Sequence, residues 1–363
     1  MELTKVNLLK ALSEVEDPDL KKDLVSLGMI QNIHIDGNKA AFDVVLTTPA
    51  CPLKEVIKKD CEEAIKRNLG DIKLIINMTS NVTTKRDDGP ILPGVKNIIA
   101  VSSGKGGVGK STIAANLSVA LAKTGAKVGL IDADIFGPSV PTMFNCEYEQ
   151  PGIVQEDGKN KIIPIEQYGV KLISIGFLTD SEDAVVWRGP MASSALRQFI
   201  SDAKWGELDY LLIDLPPGTS DIHLTLVQAV PVTGAIVVTT PQKVALADAQ
   251  KGISMFRQPQ INVPILGLVE NMAWFTPAEL PNNKYHIFGE GGGQKLADKN
   301  TIELLGQIPI VQAIRESGDA GYPSALKDGD ISDAFKHLAE SVAQQVAIRN
   351  MTIEETKKVE VTV

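Results

Sequence analysis

Ten consecutive residues constrain the fold of this chain more than any others: Ser103-Gly104-Lys105-Gly106-Gly107-Val108-Gly109-Lys110-Ser111-Thr112. A short apolar run, 97–101, precedes them, and it reads as a strand buried on both faces. Ile113, Leu117, Ala120 and Leu121 follow at helical spacing until Gly125. Strand, glycine-rich turn and helix are therefore expected in direct succession. The turn satisfies Gly-x4-Gly-Lys-[Ser/Thr], the spacing of a phosphate-binding loop. Without Cβ atoms in the way, successive backbone N–H groups can curl around an anion, and the helix N-terminus adds its own attraction. On this reading Gly104, Lys105, Gly106, Gly107, Val108, Gly109, Lys110, Ser111 and Thr112 cradle the phosphates of a nucleotide. Lys110 reaches the β- and γ-phosphates, and the Ser111 hydroxyl holds Mg2+.

The rest of the chain repeats the same alternation. Apolar runs at 97–102, 127–132, 171–175, 209–214, 234–239, 264–269 and 304–308 read as strands separated by helices. The expected fold class is α/β, a doubly wound, mostly parallel sheet of the P-loop NTPase kind, preceded by a small α+β domain. That small domain, 1–84, reads as α-β-β-α-β. Thr4 is placed to cap a first helix lined by Val6, Leu8, Leu9, Leu12 and Val15, and Asp36-Gly37 turns a hairpin. A second helix puts Leu53, Val56, Ile57, Ala64, Ile65 and Leu69 on one stripe and ends at Gly70. The polar stretch that closes on Gly89-Pro90 is read as a linker, 85–94; the ATPase domain as 95–350, its last amphipathic helix marked by Phe335, Leu338, Val342 and Val346; and 351–363 as a tail.

Open α/β sheets bind ligands at the carboxyl ends of their strands. Two acidic clusters fall there. Asp132 and Asp134 end one apolar run, and Asp214 ends another, before Leu215-Pro216-Pro217-Gly218-Thr219-Ser220-Asp221. Asp214 has the Walker B placement and is expected to hold the Mg2+ shell. Gly218 and Thr219 are placed to meet the γ-phosphate and to reorder when it leaves. Either Asp132 or Asp134 could orient an attacking water.

The 363 residues carry a formal net charge of −9, which argues against nucleic acid as a partner. No uncharged stretch reaches membrane-spanning length, and Met1-Glu2-Leu3-Thr4-Lys5 has no apolar core behind it, so neither a membrane nor a secretory route is expected. Three cysteines make no disulfide framework, and a reducing cytoplasm is the expected setting.

The second lysine of the loop, Lys105, makes it resemble the deviant Walker A form of the MinD/ParA/nitrogenase iron-protein class. Further segments resemble the Mrp/ApbC-type iron–sulfur cluster carrier ATPases: Asp132-Ala133-Asp134-Ile135-Phe136-Gly137-Pro138-Ser139, Trp187-Arg188-Gly189-Pro190-Met191, the run from Asp214 to Asp221, and Glu270-Asn271-Met272. The N-terminal unit, with Asp17-Pro18 and Thr48-Pro49-Ala50-Cys51-Pro52, resembles a small iron–sulfur assembly domain. The resemblance implies a homodimer closed on two Mg-ATP. In it Lys105 reaches the partner's nucleotide, Asp134 is the catalytic aspartate of switch I, Asp214 opens switch II and Asn271 reads adenine. Its implied role is to carry clusters to apoproteins or to work with assembly factors.

The chain departs from that pattern at one place. The family's Cys-x-x-Cys pair lies between the Glu-Asn-Met segment and a Phe-Gly-x-Gly-Gly-Gly segment. Here both flanks are present, the second as Phe288-Gly289-Glu290-Gly291-Gly292-Gly293, but Thr276 and Glu279 stand where the cysteines would be. Neither offers the soft thiolate that iron–sulfur clusters prefer. Cys51, ahead of a helix start, is the substitute candidate ligand. Cys61 and Cys146 read as packing residues, and His34, His223, His286 and His337 as surface or capping residues. Two other readings share the loop: a MinD/ParA-type positioning switch, against which the mixed charge of the tail argues, and an ATPase scaffold that binds no cluster.

Overall fold

The computed structural model describes residues 2–86, 91–135, 137–156, 158–177, 189–277 and 279–358. Part of the linker (87–90), Phe136, Trp187-Arg188, Ala278 and the end of the tail (359–363) lie outside the described residues. The chain divides into two compact units, Met1–Thr84 with Ala347–Ile353, and Lys85–Val346 with Glu354–Val363.

The small unit contains α1 (Lys5–Leu12), a short ladder of β1 (Glu16–Asp17) and β2 (Lys22–Asp23), β3 (Ile30–Asp36), β4 (Lys39–Leu46), α2 (Lys54–Leu69) and β5 (Lys73–Ser80). Thr4 Oγ1 accepts the Asn7 N–H at 3.2 Å and starts α1. β3 pairs antiparallel with β4, and β5 pairs parallel with β4. Phe42, Val44 and Leu46 alternate inward from β4 onto Leu8, Leu12, Ile57 and Ile65. Two assignments to the helix stripes are corrected: Val6 is 73% exposed and Val56 is 47% exposed. The buried stripe of α2 is Ile57, Cys61, Ala64 and Ile65, and Val56 lies about 100° around the helix from it. α1 has only eight residues, and its buried face is Leu8, Ala11 and Leu12.

The large unit begins with β6 (Val95–Ser103), α3 (Lys110–Lys123), β7 (Val128–Asp132) and α4 (Val140–Met143). A hairpin, β8 (Gly152–Glu156) and β9 (Lys159–Ile163), comes next, then β10 (Ile165–Gln167) and β11 (Val170–Ser174). It continues through α5 (Gly189–Ser201), β12 (Leu208–Asp214), α6 (Asp221–Ala229), β13 (Gly234–Thr239), α7 (Lys243–Phe256) and β14 (Ile265–Phe275). α8 (Gly292–Asn300), β15 (Leu304–Ile310), α9 (Gln312–Asp319) and α10 (Asp330–Thr352) as far as Val346 complete it.

Among the described residues the main sheet has eight strands in the order β10-β11-β7-β12-β6-β13-β14-β15. All neighbours are parallel except β10, which joins the β11 edge antiparallel. The doubly wound parallel sheet is thus present, with each of the seven expected strands in it. Their uniform apolar runs are explained by helices on both faces: β7, β13 and most of β12 are buried throughout. Three features differ from the sequence reading. The β8–β9 hairpin and β10 were not anticipated, because their short runs mix apolar and charged residues. β14 extends to Phe275 rather than ending at 269, since Phe275 exchanges backbone hydrogen bonds with Tyr285 at 2.8 and 2.9 Å. The final helix runs to Thr352, past the expected start of the tail.

The topology positions the site. β6 lies between β12 and β13, and the chain leaving it through α3 passes over β12 to reach β7. The loop after β6 therefore opens beside the carboxyl ends of β12 and β7. In that register Asp214 is the direct partner of Asp132 across one pair and of Val101 across the other.

Candidate functional site

The loop between β6 and α3 is held in shape from two sides. A Cβ on Gly104 would lie 2.1 Å from the Asp248 carbonyl group of α7, so only glycine lets the helix pack this closely. Gly109 has φ +81°, and a Cβ there would lie 2.2 Å from Asn271 Nδ2. Asn271 is nearly buried within β14 and donates that amide to the Val108 carbonyl at 2.8 Å. Lys105, Gly106 and Gly107 are exposed at the loop tip, whereas Ser111 and Thr112 are half-buried in the first turn of α3.

Lys110 is 5% exposed, an unusual position for a lysine. Its Nζ lies 2.6 Å from Asp214 Oδ1, 3.4 Å from Asp134 Oδ2 and 3.2 Å from Ser111 Oγ. Burial alone would favour the neutral amine, but the charges of Asp214 and then Asp134 outweigh it and raise the lysine above its ordinary pKa. Burial raises Asp134, with Lys110 pulling the other way and Asp214 adding to the rise. Asp214 is fully buried, and its second oxygen, Oδ2, has no hydrogen-bond partner. A buried orphan carboxylate oxygen is costly unless a ligand satisfies it.

Asp132 has a different role. Its Oδ1 accepts the Asp134 N–H at 3.2 Å, and its Oδ2 accepts the Ser139 and Val140 N–H groups at 3.2 Å and the Ser174 hydroxyl at 3.0 Å. It therefore folds the 133–140 loop around itself and fixes where Asp134 stands. Burial, and then the adjacent Asp214 charge, push the Asp132 carboxyl up to about 7, against the Val140 N–H, Lys110 and Ser174. Register separates the two aspartates: Asp132 closes β7 inside the sheet, and Asp134, beyond the strand end, reaches Lys110.

Gly218 sits at φ +80°, and its N–H donates to the Ser103 carbonyl at 2.8 Å, so the segment after β12 lies along the base of the phosphate loop. A cavity of about 560 Å³ opens beside Gly109 and Thr112, lined further by Asn271, Met272, Pro309 and Ile310. Its volume and apolar lining suit a flat organic ring. The same unit thus gathers Lys110, Ser111, Asp134, Asp214, Gly218 and Asn271 around one loop.

A family model for the NUBPL iron-transfer P-loop NTPases matches residues 94–347. This chain belongs to that family. A second family model, for iron–sulfur cluster assembly proteins, matches residues 5–73. The iron–sulfur cluster carrier protein of Aquifex aeolicus is 51% identical over 94% of this chain and 98% of its own length. That of Synechocystis is 46% identical over 95% and 97% respectively. A nucleotide-binding protein of Archaeoglobus fulgidus, solved in complex with ADP, is 39% identical, covers 65% of this chain and 90% of its own, and superposes with a TM-score of 0.56.

The segment where the resemblance implies a cysteine pair carries no cysteine. Thr276 is half-buried and Glu279 exposed, and the segment is closed by the Phe275–Tyr285 bridge and by Lys284 Nζ, 4.0 Å from the Trp274 ring centre. Among the described residues no group of three or more His, Cys, Asp or Glu side chains is arranged to hold a metal ion. Cys61 and Cys146 are buried, and burial pushes each thiol up to about 12, which keeps them protonated and inert. Cys51 belongs to the small unit, half-buried against its core just ahead of α2. Among the described residues no helix is long and apolar enough to cross a membrane.

The sequence reading quoted one functional-looking residue without giving it a role. Glu270 is 1% exposed and accepts the Gly293 N–H at the start of α8 and the Gln307 amide, so it anchors the glycine-rich run. His223 is a capping residue, as read, but it is buried to 1% rather than lying on the surface. Its position three residues after Ser220 is the usual place of a capping-box Glu or Gln, and that spacing was the available signal.

Proposed function

We propose that this chain binds and hydrolyses Mg-ATP as a homodimer and uses the cycle to assemble iron–sulfur clusters or deliver them to apoproteins, in the cytoplasm. One observation carries the nucleotide part: buried Lys110 pairs with the carboxylates of Asp214 and Asp134 and touches the Ser111 hydroxyl, beside an orphan oxygen of Asp214. A lysine and a carboxylate left in this condition match a phosphate and a hydrated magnesium ion better than they match each other. The residues fit Mg-nucleotide. Ser111 and Asp214 would hold the ion, which supplies charge neutralisation at the phosphates. Lys110 swings from the carboxylates to the β- and γ-phosphates. Asp134, freed from the lysine, orients water, and Gly218 and Thr219 meet the γ-phosphate. Asn271 keeps its amide on Val108 and offers Oδ1 to the amino group of adenine. Lys105, exposed at the loop tip, reaches the nucleotide of the second copy.

The cluster is cargo in this scheme. The names of the relatives support its delivery, whereas the loop at 276–279 does not fit a thiolate site. The scaffold reading, with the small domain recognising assembly factors, follows from that loop. Cys51, in two copies, is the remaining ligand candidate. The test is phosphate release from ATP by wild type and Lys110→Ala, beside anaerobic cluster reconstitution of wild type and Cys51→Ala. A lysine variant that turns over normally overturns the nucleotide reading. A wild type that holds no iron or sulfide leaves the scaffold reading.

A further inference from the structure

His223, the third residue of α6, has both ring nitrogens engaged although the chemistry above does not use it. Its Nδ1 accepts the Ser220 backbone N–H at 3.2 Å and lies 3.2 Å from Ser220 Oγ; its Nε2 lies 3.3 Å from Ser102 Oγ. Because Nδ1 accepts, the hydrogen-bond pattern places the proton on Nε2, which donates to Ser102. Burial pushes the ring pKa down to about 4, so it stays neutral at neutral pH and keeps one donor and one acceptor. The Phe256 ring of α7 packs beside it, with centres 6.1 Å apart.

A capping box needs only an acceptor, which Glu or Gln supplies. The imidazole adds a second nitrogen on its far side, and here that nitrogen reaches β6, two residues before Gly104. The segment leaving β12 then has three attachments to consecutive residues of β6. Leu215 N–H donates to the Val101 carbonyl at 3.0 Å, Gly218 N–H to the Ser103 carbonyl at 2.8 Å, and His223 to the side chain of Ser102 between them. Pro216 and Pro217 have no N–H with which to add to that set.

We infer that His223 is a positioning residue that pins the exit of the 214–221 segment to the strand carrying the phosphate loop, so that rearrangement on hydrolysis is confined to the residues between two fixed ends. This rests on the proposed ATP cycle for its consequence, though not for the tether itself. With the far end pinned, Gly218 and Thr219 return to one place each turnover. With it loose, the segment samples arrangements that bind nucleotide but do not complete the site.

The test uses the full-length chain and three variants: His223→Gln, which keeps an acceptor for Ser220 but cannot span to Ser102; Ser102→Ala, which removes only the far oxygen; and the double variant. Hydrogen–deuterium exchange is read without nucleotide on peptides covering 214–224, with 110–123 as the internal control. Phosphate release from ATP gives kcat and KM. Each single variant is expected to raise exchange at 214–224 about tenfold while 110–123 is unchanged. Each should lower kcat about five- to tenfold, leave the KM for ATP within twofold, and give a double variant no slower than the slower single. Unchanged exchange in both singles overturns the tether. Raised exchange with wild-type kcat, or losses that multiply in the double variant, overturns the positioning role. Absence of phosphate release from wild type instead removes the ATP cycle, and the exchange measurement then decides the tether alone.

Discussion

Asn271 braces the phosphate loop: its side-chain amide donates to the Val108 carbonyl at 2.8 Å, across 163 residues of sequence. That bond uses one of the two Nδ2 hydrogens and orients the amide, and in the proposed complex Oδ1 accepts from the base. An acceptor at that position favours adenine, which has an exocyclic amine, over guanine, which has a carbonyl oxygen there.

Asn271→Ala should therefore weaken ATP more than it slows chemistry. Losing one brace and one base contact corresponds to about 1–1.5 kcal/mol, or roughly a tenfold rise in the KM for ATP. The preference for ATP over GTP should shrink by a similar factor. Parallel kinetics with both nucleotides check this; an unchanged ATP-to-GTP ratio would show that Asn271 serves the loop alone.

The two loop lysines should separate cleanly. Lys110 is buried among carboxylates and Lys105 is exposed. Lys110→Ala should lower turnover by about 100-fold or more, because among the described residues no other cation pairs with Asp134 or Asp214. It should also destabilise the nucleotide-free protein, since Asp214 loses the cation 2.6 Å from its Oδ1. Lys105→Ala should leave stability within about 0.5 kcal/mol of wild type and spare ATP binding more than turnover. Calorimetric titration, thermal unfolding and phosphate release on both variants give the comparison, and equal turnover in Lys105→Ala and wild type would contradict a role across the dimer.

Much of this arrangement is legible in the sequence because it is local. The seven strands of the expected list are continuous apolar runs, and Ser103 to Thr112 carry their pattern in ten adjacent residues. What was hidden depends on partners far along the chain. Asp132 and Asp134 both read as strand-end aspartates; only the pairing of β7 with β12 makes one a scaffold for the loop and brings the other to Lys110. The His223 spacing from Ser220 can be read directly, but its burial depends on Ser102, 121 residues earlier. β14 continues past Met272 because Tyr285, beyond an irregular loop, pairs with Phe275, and no period in the sequence announces that.

The buried histidine gives the protein an acid-side signature. Burial, with a smaller contribution from the Lys110 charge, holds His223 near 4, below its ordinary 6.5. Between those values the unfolded chain binds a proton that the folded chain refuses. This contribution to stability is fully present above pH 6.5 and is lost as pH falls toward 4, by on the order of 3 kcal/mol across the window. Urea unfolding at pH 7 and pH 5 should show a larger loss for wild type than for His223→Gln, which has no ring to protonate. Parallel losses in the two proteins would mean that the imidazole already takes up its proton in the folded state.

The loop at 276–279 invites a gain-of-function experiment. On the N-terminal side of Thr276, Lys284 lies over the Trp274 ring and Phe275 is bridged to Tyr285. Thr276 and Glu279 differ from a thiolate pair only in their side-chain ends, and neither is buried. The double variant Thr276→Cys, Glu279→Cys is therefore expected to fold as wild type does and to acquire two soft ligands per chain. Two chains then supply the four thiolates that a bridging cluster needs. After anaerobic reconstitution the variant should hold about one cluster per two chains, and that cluster should survive an added Cys51→Ala change. Iron and sulfide content with visible absorbance measures both. A cluster in the double variant that disappears with Cys51 would place the ligand set in the small unit; equal iron in wild type and the double variant would show that the missing pair is not what limits binding.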